Sequence, residues 1–181
     1  MKAIFPGSFD PVTRGHLNLI KRSLRFVDEL IIAVMINPDK PGIFPAEKRV
    51  WLLEQSCREY GFTGYRIVND EGLLVDLAKR EGAGLIIRGV RNLSDFESET
   101  AMARANAALC PEIETVLLST DSASADISST LIRQIASLGG EVRCFVPDCV
   151  ALALEDLNRH YTKLQEETPC QKQKYLPLRM S

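Results

Sequence analysis

A chain of 181 residues fits one domain of ordinary size with a full hydrophobic core. Hydrophobic residues make up 45% and charged residues 25%, the balance of a soluble globular protein. Lys and Arg total 22 against 24 Asp and Glu, a net charge of −2, which excludes nucleic-acid binding through a broadly basic surface. An anionic ligand must therefore be met by locally placed cations. No apolar run approaches the roughly 20 residues that a membrane span needs. The five cysteines (Cys57, Cys110, Cys144, Cys149 and Cys170) are scattered and odd in number, so buried small hydrophobes are expected rather than disulfides or zinc ligands.

In chain order, strand-length apolar runs alternate with segments of helical period. Met1 to Gly7 lacks the layout of a signal peptide, and Ala3 to Phe5 is expected to form a short strand that stops at Pro6-Gly7. From Gly15 to Val27 the apolar residues Leu17, Leu19, Ile20, Leu24 and Val27 fall on one helix face. Leu30 to Ile36 is continuously apolar and ends at Asn37-Pro38, as suits a strand buried on both faces. A helix follows from Pro45 to Cys57, a strand from Tyr65 to Val68, a helix from Leu73 to Arg80 and a strand from Leu85 to Ile87. Asp95 to Leu109 is helical and alanine-rich, Glu114 to Leu118 a fifth strand, Ser129 to Ser137 a helix, and Pro147 to about His160 the last helix. The pattern predicts an α/β fold: a Rossmann-like, doubly wound parallel sheet of five strands with helices on both faces. One domain is expected over residues 1–160, and a loosely ordered tail over 161–181.

Ligands of such sheets sit outside the carboxyl ends of the strands, and three segments lie there. Gly7-Ser8-Phe9-Asp10-Pro11-Val12-Thr13-Arg14-Gly15-His16 follows the first strand and leads into a helix. Gly7 permits a tight turn, Ser8 offers a hydroxyl, and His16 stands on a first helical turn, where free N–H groups and the helix dipole favour phosphate. Ile127-Ser128-Ser129-Thr130-Leu131-Ile132-Arg133 is by itself an ordinary helix cap; beside the first segment it reads as the opposite wall of a triphosphate site. Arg88-Gly89-Val90-Arg91 follows the fourth strand. Its guanidiniums suit bidentate phosphate recognition, or else belong to a solvated turn balanced by Asp95, Glu97 and Glu99. Lys40 lies in the loop after the second strand, at the same sheet edge. There is no G-x-x-x-x-G-K-[ST], no complete G-x-G-x-x-G after a strand and no G-x-S-x-G.

Together these segments resemble the nucleotidyltransferase superfamily with the (H/T)-x-G-H signature, here Thr13-Arg14-Gly15-His16. Within it the chain is similar to the phosphopantetheine adenylyltransferase family from about Lys2 to Asn158, on the G-S-F-D-P-x-T-x-G-H and I-R-G-V-R-x-x-x-D-F-E-x-E segments, Asn106 and I-S-S-T. The resemblance implies transfer of AMP from ATP to 4′-phosphopantetheine, with Mg²⁺, in a homohexamer; the cysteine pattern and the N-terminal segment read most simply as those of a cytoplasmic protein. It implies that His16 stabilises the transition state and that Ser8 and Phe9 contact both substrates. Lys40, Leu74 (through its backbone) and Arg88 would hold phosphopantetheine. Gly89, Val90, Arg91 and Glu99 would bind ATP, as would Ser124, Ala125, Asp126, Ile127, Ser128, Ser129 and Thr130. The sequence departs from the family at Ser124 and Asp126, where aromatic residues are usual. A sister transferase acting on nicotinamide mononucleotide or glycerol phosphate, and a non-catalytic nucleotide-binding protein, are the alternatives.

Overall fold

The computed structural model describes residues 1–37, 42–120 and 127–167. Five parallel strands form the sheet: β1 (Lys2–Gly7), β2 (Glu29–Met35), β3 (Tyr65–Asp70), β4 (Leu85–Val90) and β5 (Glu114–Ser119). The helices are α1 (Arg14–Ser23), α2 (Ala46–Glu59), α3 (Leu74–Glu81), α4 (Leu93–Leu109), α5 (Ser129–Ser137) and α6 (Asp148–Glu167). The strand order β3-β2-β1-β4-β5 makes this the expected doubly wound sheet, with its reversal between β1 and β4.

Alternation along the strands divides the core in two. Ala3, Phe5, Leu30, Ile32, Val34, Leu85 and Ile87 face a layer of α1, α2, α5 and α6 residues that includes Leu17, Leu52, Ile132 and Val150. Ile4, Ile31, Ala33 and Ile86 face the other way, onto Val75, Leu77 and Ala78 of α3 and onto Cys110 and Ile113. Leu30 to Val34 are completely buried, so β2 has no polar face to alternate with. The second face is covered more thinly. On α4 only Asn106 is buried, and Leu93, Phe96, Met102 and Leu109 are exposed.

Several boundaries differ from expectation: β4, expected to end at Ile87, runs to Val90, so Arg88, Gly89 and Val90 lie in the strand and pair with β5 instead of following it. Two of the differences have plain local reasons. β1 does not stop at Pro6 but runs to Gly7, with Pro6 opposite Ala33 and Gly7 opposite Val34 of β2. On the other side β1 pairs with β4 only at Ala3 and Ile4. The Pro6 carbonyl accepts from Arg88 Nη1 at 3.2 Å on that side, so the missing Pro6 N–H falls where the two strands have already parted. The same parting opens the cleft at the topological switch point.

α1 ends at Ser23, short of Val27. Arg25 N–H donates to the Arg22 carbonyl and Phe26 N–H to that of Ser23, tightening the last turn. The Asp28 N–H then donates to the Met1 carbonyl and turns the chain into β2. Leu24 and Val27 still pack on the core, so their spacing reported burial and not helix length. At the other end α6 runs past the expected boundary near His160, to Glu167. Cys57 and Cys110 are buried, as expected; Cys149 is half-buried, Cys144 is exposed, and Cys170 lies outside the described residues.

Candidate active site

A cavity of about 330 Å³ occupies the cleft between the carboxyl ends of β1 and β4. That is ample for part of a nucleotide, and its lining is polar and cationic. Pro6, Gly7, Ser8, Thr13, Gly15 and His16 form one wall; Arg88, Gly89, Arg91, Asp95 and Glu99 form another. Ile127, Ser128, Ser129, Thr130 and Arg133 close the third. The segments read as separate signals in the sequence thus meet in one place.

The first wall is set by the start of α1. Thr13 is its N-cap, and its side chain accepts from the His16 N–H at 3.4 Å. The reciprocal bond of a capping box is made by the imidazole: the Thr13 N–H donates to His16 Nδ1 at 3.1 Å. A glutamate or glutamine usually holds that position, so the box carries a catalytic type of side chain in a structural role. With Nδ1 accepting from the main chain, the neutral ring carries its proton on Nε2, leaving that N–H for a ligand in the cavity. Burial lowers the His16 pKa from 6.5 to about 4, with the Arg91 and Arg88 guanidiniums adding to the effect. Phe9 packs edge-on against the imidazole, ring centroids 5.1 Å apart. Its ring is fully buried behind His16 and does not line the cavity.

Across the cleft Arg88 is gripped by Glu99 through two bonds, Nε to Oε2 at 2.6 Å and Nη2 to Oε1 at 2.7 Å. This fork fixes the guanidinium plane and uses only part of its five N–H groups. Arg91 is held by Asp95 in the same way, Nε to Oδ2 at 2.7 Å. A Cβ at Gly89 would lie 2.3 Å from Leu19 Cδ1 of α1, so a larger residue there would need that leucine side chain to move. Val90, which does not line the cavity, accepts from the Thr120 N–H through its carbonyl at 2.9 Å.

The third wall is the N-terminus of α5. Ser128 caps it by accepting from the Leu131 N–H at 3.0 Å. Ser129 Oγ donates to the Pro11 carbonyl at 2.8 Å, which ties α5 to the loop before α1. Two helix N-termini therefore converge on one cavity, and both favour an anion. Arg133, one turn into α5, donates to the Asp10 carbonyl at 2.6 Å and to Thr130 Oγ1 at 3.1 Å.

Leu74 opens α3 beyond the carboxyl end of β3 and is outside the cavity lining. Lys40, Ser124, Ala125 and Asp126 lie outside the described residues. Asp10 and Arg49, to which the sequence reading assigned no role, are both buried. Among the described residues no three acidic, histidine or cysteine side chains gather into a metal cage.

Comparison with known proteins agrees with this geometry. The cytidylyltransferase-like family matches residues 4–135. Phosphopantetheine adenylyltransferase of Alkaliphilus metalliredigens is 44% identical over 151 residues, covering 83% of this chain and 95% of that protein. The enzyme of the same name from Clostridium perfringens is 42% identical over 164 residues, 91% of this chain and 97% of the relative. Among solved structures, a bifunctional NMN adenylyltransferase/ADP ribose pyrophosphatase from Francisella tularensis superposes with a TM-score of 0.66 at 16% identity. That match covers 93% of this chain and 55% of the other, and it shows the shared fold. On the strength of the family match and of relatives aligned nearly end to end, the chain belongs to the phosphopantetheine adenylyltransferase family of cytidylyltransferase-like proteins.

Proposed function

We propose that this protein transfers AMP from ATP to 4′-phosphopantetheine, giving dephospho-coenzyme A and pyrophosphate. The observation that carries the reading is the convergence of two helix N-termini, three arginines and the Nε2 side of His16 on one cavity. An oxygen of the acceptor phosphate attacks the α-phosphorus of ATP in line. The bond from α-phosphorus to the bridging oxygen breaks, and its electron pair leaves with pyrophosphate. The acceptor is already an anion, so no serine or cysteine intermediate is needed. Positioning and charge stabilisation then supply the catalysis.

In this reading His16 donates its Nε2–H to an α-phosphate oxygen as charge builds there. Arg91, with the N-termini of α1 and α5, holds the triphosphate; Arg88, oriented by Glu99, takes the acceptor phosphate together with Lys40. The side chain of Glu99 is already committed to Arg88, which supports an indirect part in ATP binding. Mg²⁺ fits as an ion carried by the nucleotide. The described residues offer hydroxyls and two arginine-paired carboxylates rather than a cage, and Mg²⁺ commonly keeps waters and substrate phosphates as ligands. When bound it would neutralise phosphate charge.

We also propose a cytoplasmic homo-oligomer, a hexamer as in the resemblance. Leu93 (72% exposed), Phe96, Met102 and Leu109 are large apolar side chains left exposed on α4, which supports a partner surface there. Light scattering on the purified chain should give sixfold the 20.2 kDa protomer mass; a monomer would remove this part of the reading.

The decisive assay mixes protein, Mg·ATP and 4′-phosphopantetheine and follows pyrophosphate, with nicotinamide mononucleotide and glycerol phosphate in parallel. Pyrophosphate and dephospho-coenzyme A with phosphopantetheine alone support the proposal. Release only with another acceptor moves the substrate, and ATP binding without any release points to a non-catalytic protein.

A further inference from the structure

Asp10 and Arg49 are buried, 4% and 7% exposed, and neither lines the cavity. Asp10 Oδ2 accepts from the Ile43 N–H at 2.9 Å, and Oδ1 from the Phe44 N–H at 3.1 Å. Arg49 spends its bonds on carbonyls: Nε donates to that of Phe44 at 2.9 Å and Nη1 to that of Ser8 at 3.3 Å. Among the described residues, the cation paired with the Asp10 carboxylate is Arg133, whose Nη1 lies 3.9 Å from Oδ2. The same Nη1 donates to the Asp10 main-chain carbonyl at 2.6 Å, and Nη2 donates to Thr130 Oγ1 at 3.1 Å. Arg133 does line the cavity. A buried carboxylate in the loop after β1 thus reaches a cavity cation on α5.

We propose that Asp10 is a positioning residue for Arg133. Its carboxylate, anchored on two consecutive N–H groups, fixes the carbonyl on which the guanidinium docks and sets an opposite charge beside it. Arg133 is then held ready for a phosphate of the nucleotide. The bonds to the Asp10 carbonyl and to Thr130 use two of the five guanidinium N–H groups, and the others are left for a ligand. An arginine ordered in advance does not have to give up its side-chain freedom when the phosphate arrives. The arrangement differs from that of Arg88 and Arg91, whose partners Glu99 and Asp95 line the cavity and stand beside any incoming anion. Asp10 holds its arginine from outside the lining, so its charge is kept from the ligand's side. Buried charge hydrogen-bonded to main chain also gives a fixed geometry that a flexible surface pair would not. Any residue at position 10 keeps the carbonyl; the carboxylate's part is what the test isolates.

The inference rests on the proposed binding of ATP in this cavity, and the test separates the two. The transferase reading depends on pyrophosphate release; the inference depends on the Kd for Mg·ATP, measured by titration calorimetry on the full-length protein. Arg133→Gln should raise that Kd by at least about tenfold, as the loss of a charged hydrogen-bond donor does. Asp10→Asn removes the charge and sets a donor against one N–H, and should raise the Kd by about as much. The KM for 4′-phosphopantetheine should stay within about threefold of wild type. Added to Arg133→Gln, Asp10→Asn should change the Kd by less than about twofold, because both act through one contact. Absent pyrophosphate release with these affinities intact would remove the transferase reading and keep the inference. If Arg133→Gln leaves the Kd unchanged, Arg133 is no nucleotide ligand and the inference falls. It falls also if Asp10→Asn is silent, if it raises the acceptor KM equally, or if it costs as much without Arg133 as with it. Should Asp10→Asn not fold, Gly42→Ala decides: its Cβ would lie 2.7 Å from Asp10 Oδ2 and disturb the carboxylate with both charges kept. It should weaken Mg·ATP in the wild type and not in Arg133→Gln; any other pattern overturns the inference.

Discussion

The wall built by the start of α1 and the wall built by β4 and α4 hold their functional groups in opposite ways. On the first, His16 is fixed by main-chain N–H and the Thr13 hydroxyl, with Thr13 only 1% exposed. On the second, Arg88 and Arg91 are fixed by carboxylates, and the side chains of those pairs keep 17–32% of their surface in solvent. Main-chain bonds in a buried cap are neither screened by salt nor exchanged for water. Half-exposed ion pairs are both. The first wall therefore holds its side chain more rigidly than the second.

The sharpest test of that contrast is His16 itself. His16→Ala should lower turnover by roughly 10²–10³, about 2.7–4 kcal/mol of transition-state stabilisation, with a far smaller change in the KM for ATP. His16→Gln refines it. Glutamine satisfies the capping box, so this variant should unfold at nearly the wild-type urea midpoint and still lose turnover. A loss below tenfold in either would take His16 out of the reaction.

Acid stability gives the next largest effect. The native pKa of His16 is about 4 and the unfolded value 6.5, so between those values the unfolded chain binds more protons. Stability from this group is complete above pH 6.5 and is lost as pH falls towards 4, by at most about 3 kcal/mol. Urea titrations at pH 7, 5 and 4 should show wild type losing more than His16→Gln, in which the carboxylates titrate unchanged. Equal losses would mean that His16 is not held neutral.

Much of the fold was open to sequence reading, because its signals are local. The unbroken apolar run at Leu30 to Val34 suits a strand buried on both faces, and the hydroxyls at Ser128 to Thr130 read as a cap that, beside the first segment, becomes a wall of the site. The three cavity walls were legible for a related reason: each ends or follows a strand, or opens a helix, at one sheet edge. What escaped were pairings across sequence distance. Nothing around Asp10 announces that its carboxylate reaches Ile43 and Phe44, and Arg49 reads as one charge on an amphipathic helix. The strand through Pro6 was missed because the tolerance for proline there depends on β4 having diverged. The capping box at Thr13 and His16 had a detectable spacing, hidden by a histidine where glutamate is usual.

A smaller effect separates hydroxyl from main chain within the first wall. Thr13→Val keeps the N–H that holds Nδ1 and removes only the oxygen that caps α1. It should cost about 1 kcal/mol in urea unfolding, as cap losses do, while turnover falls far less than in His16→Ala. Equal damage to turnover would assign the ring's position to the hydroxyl.

The smallest effect belongs to the second wall. Asp95→Asn removes the charge that holds Arg91 but leaves a side-chain oxygen able to accept from it. Arg91 in turn holds the Asp95 carboxyl below the usual carboxylate range. Exposed pairs at this spacing contribute only about 0.2–1 kcal/mol, so the unfolding midpoint should barely move. The freed guanidinium should make ATP binding more salt-dependent, since one competing anion is gone and the phosphates meet a fuller positive charge. Measuring the KM for ATP at low and high ionic strength checks this. A stability loss as large as that of Thr13→Val, with no change in salt dependence, would mean that the second wall is as rigid as the first, and the contrast between them would fall.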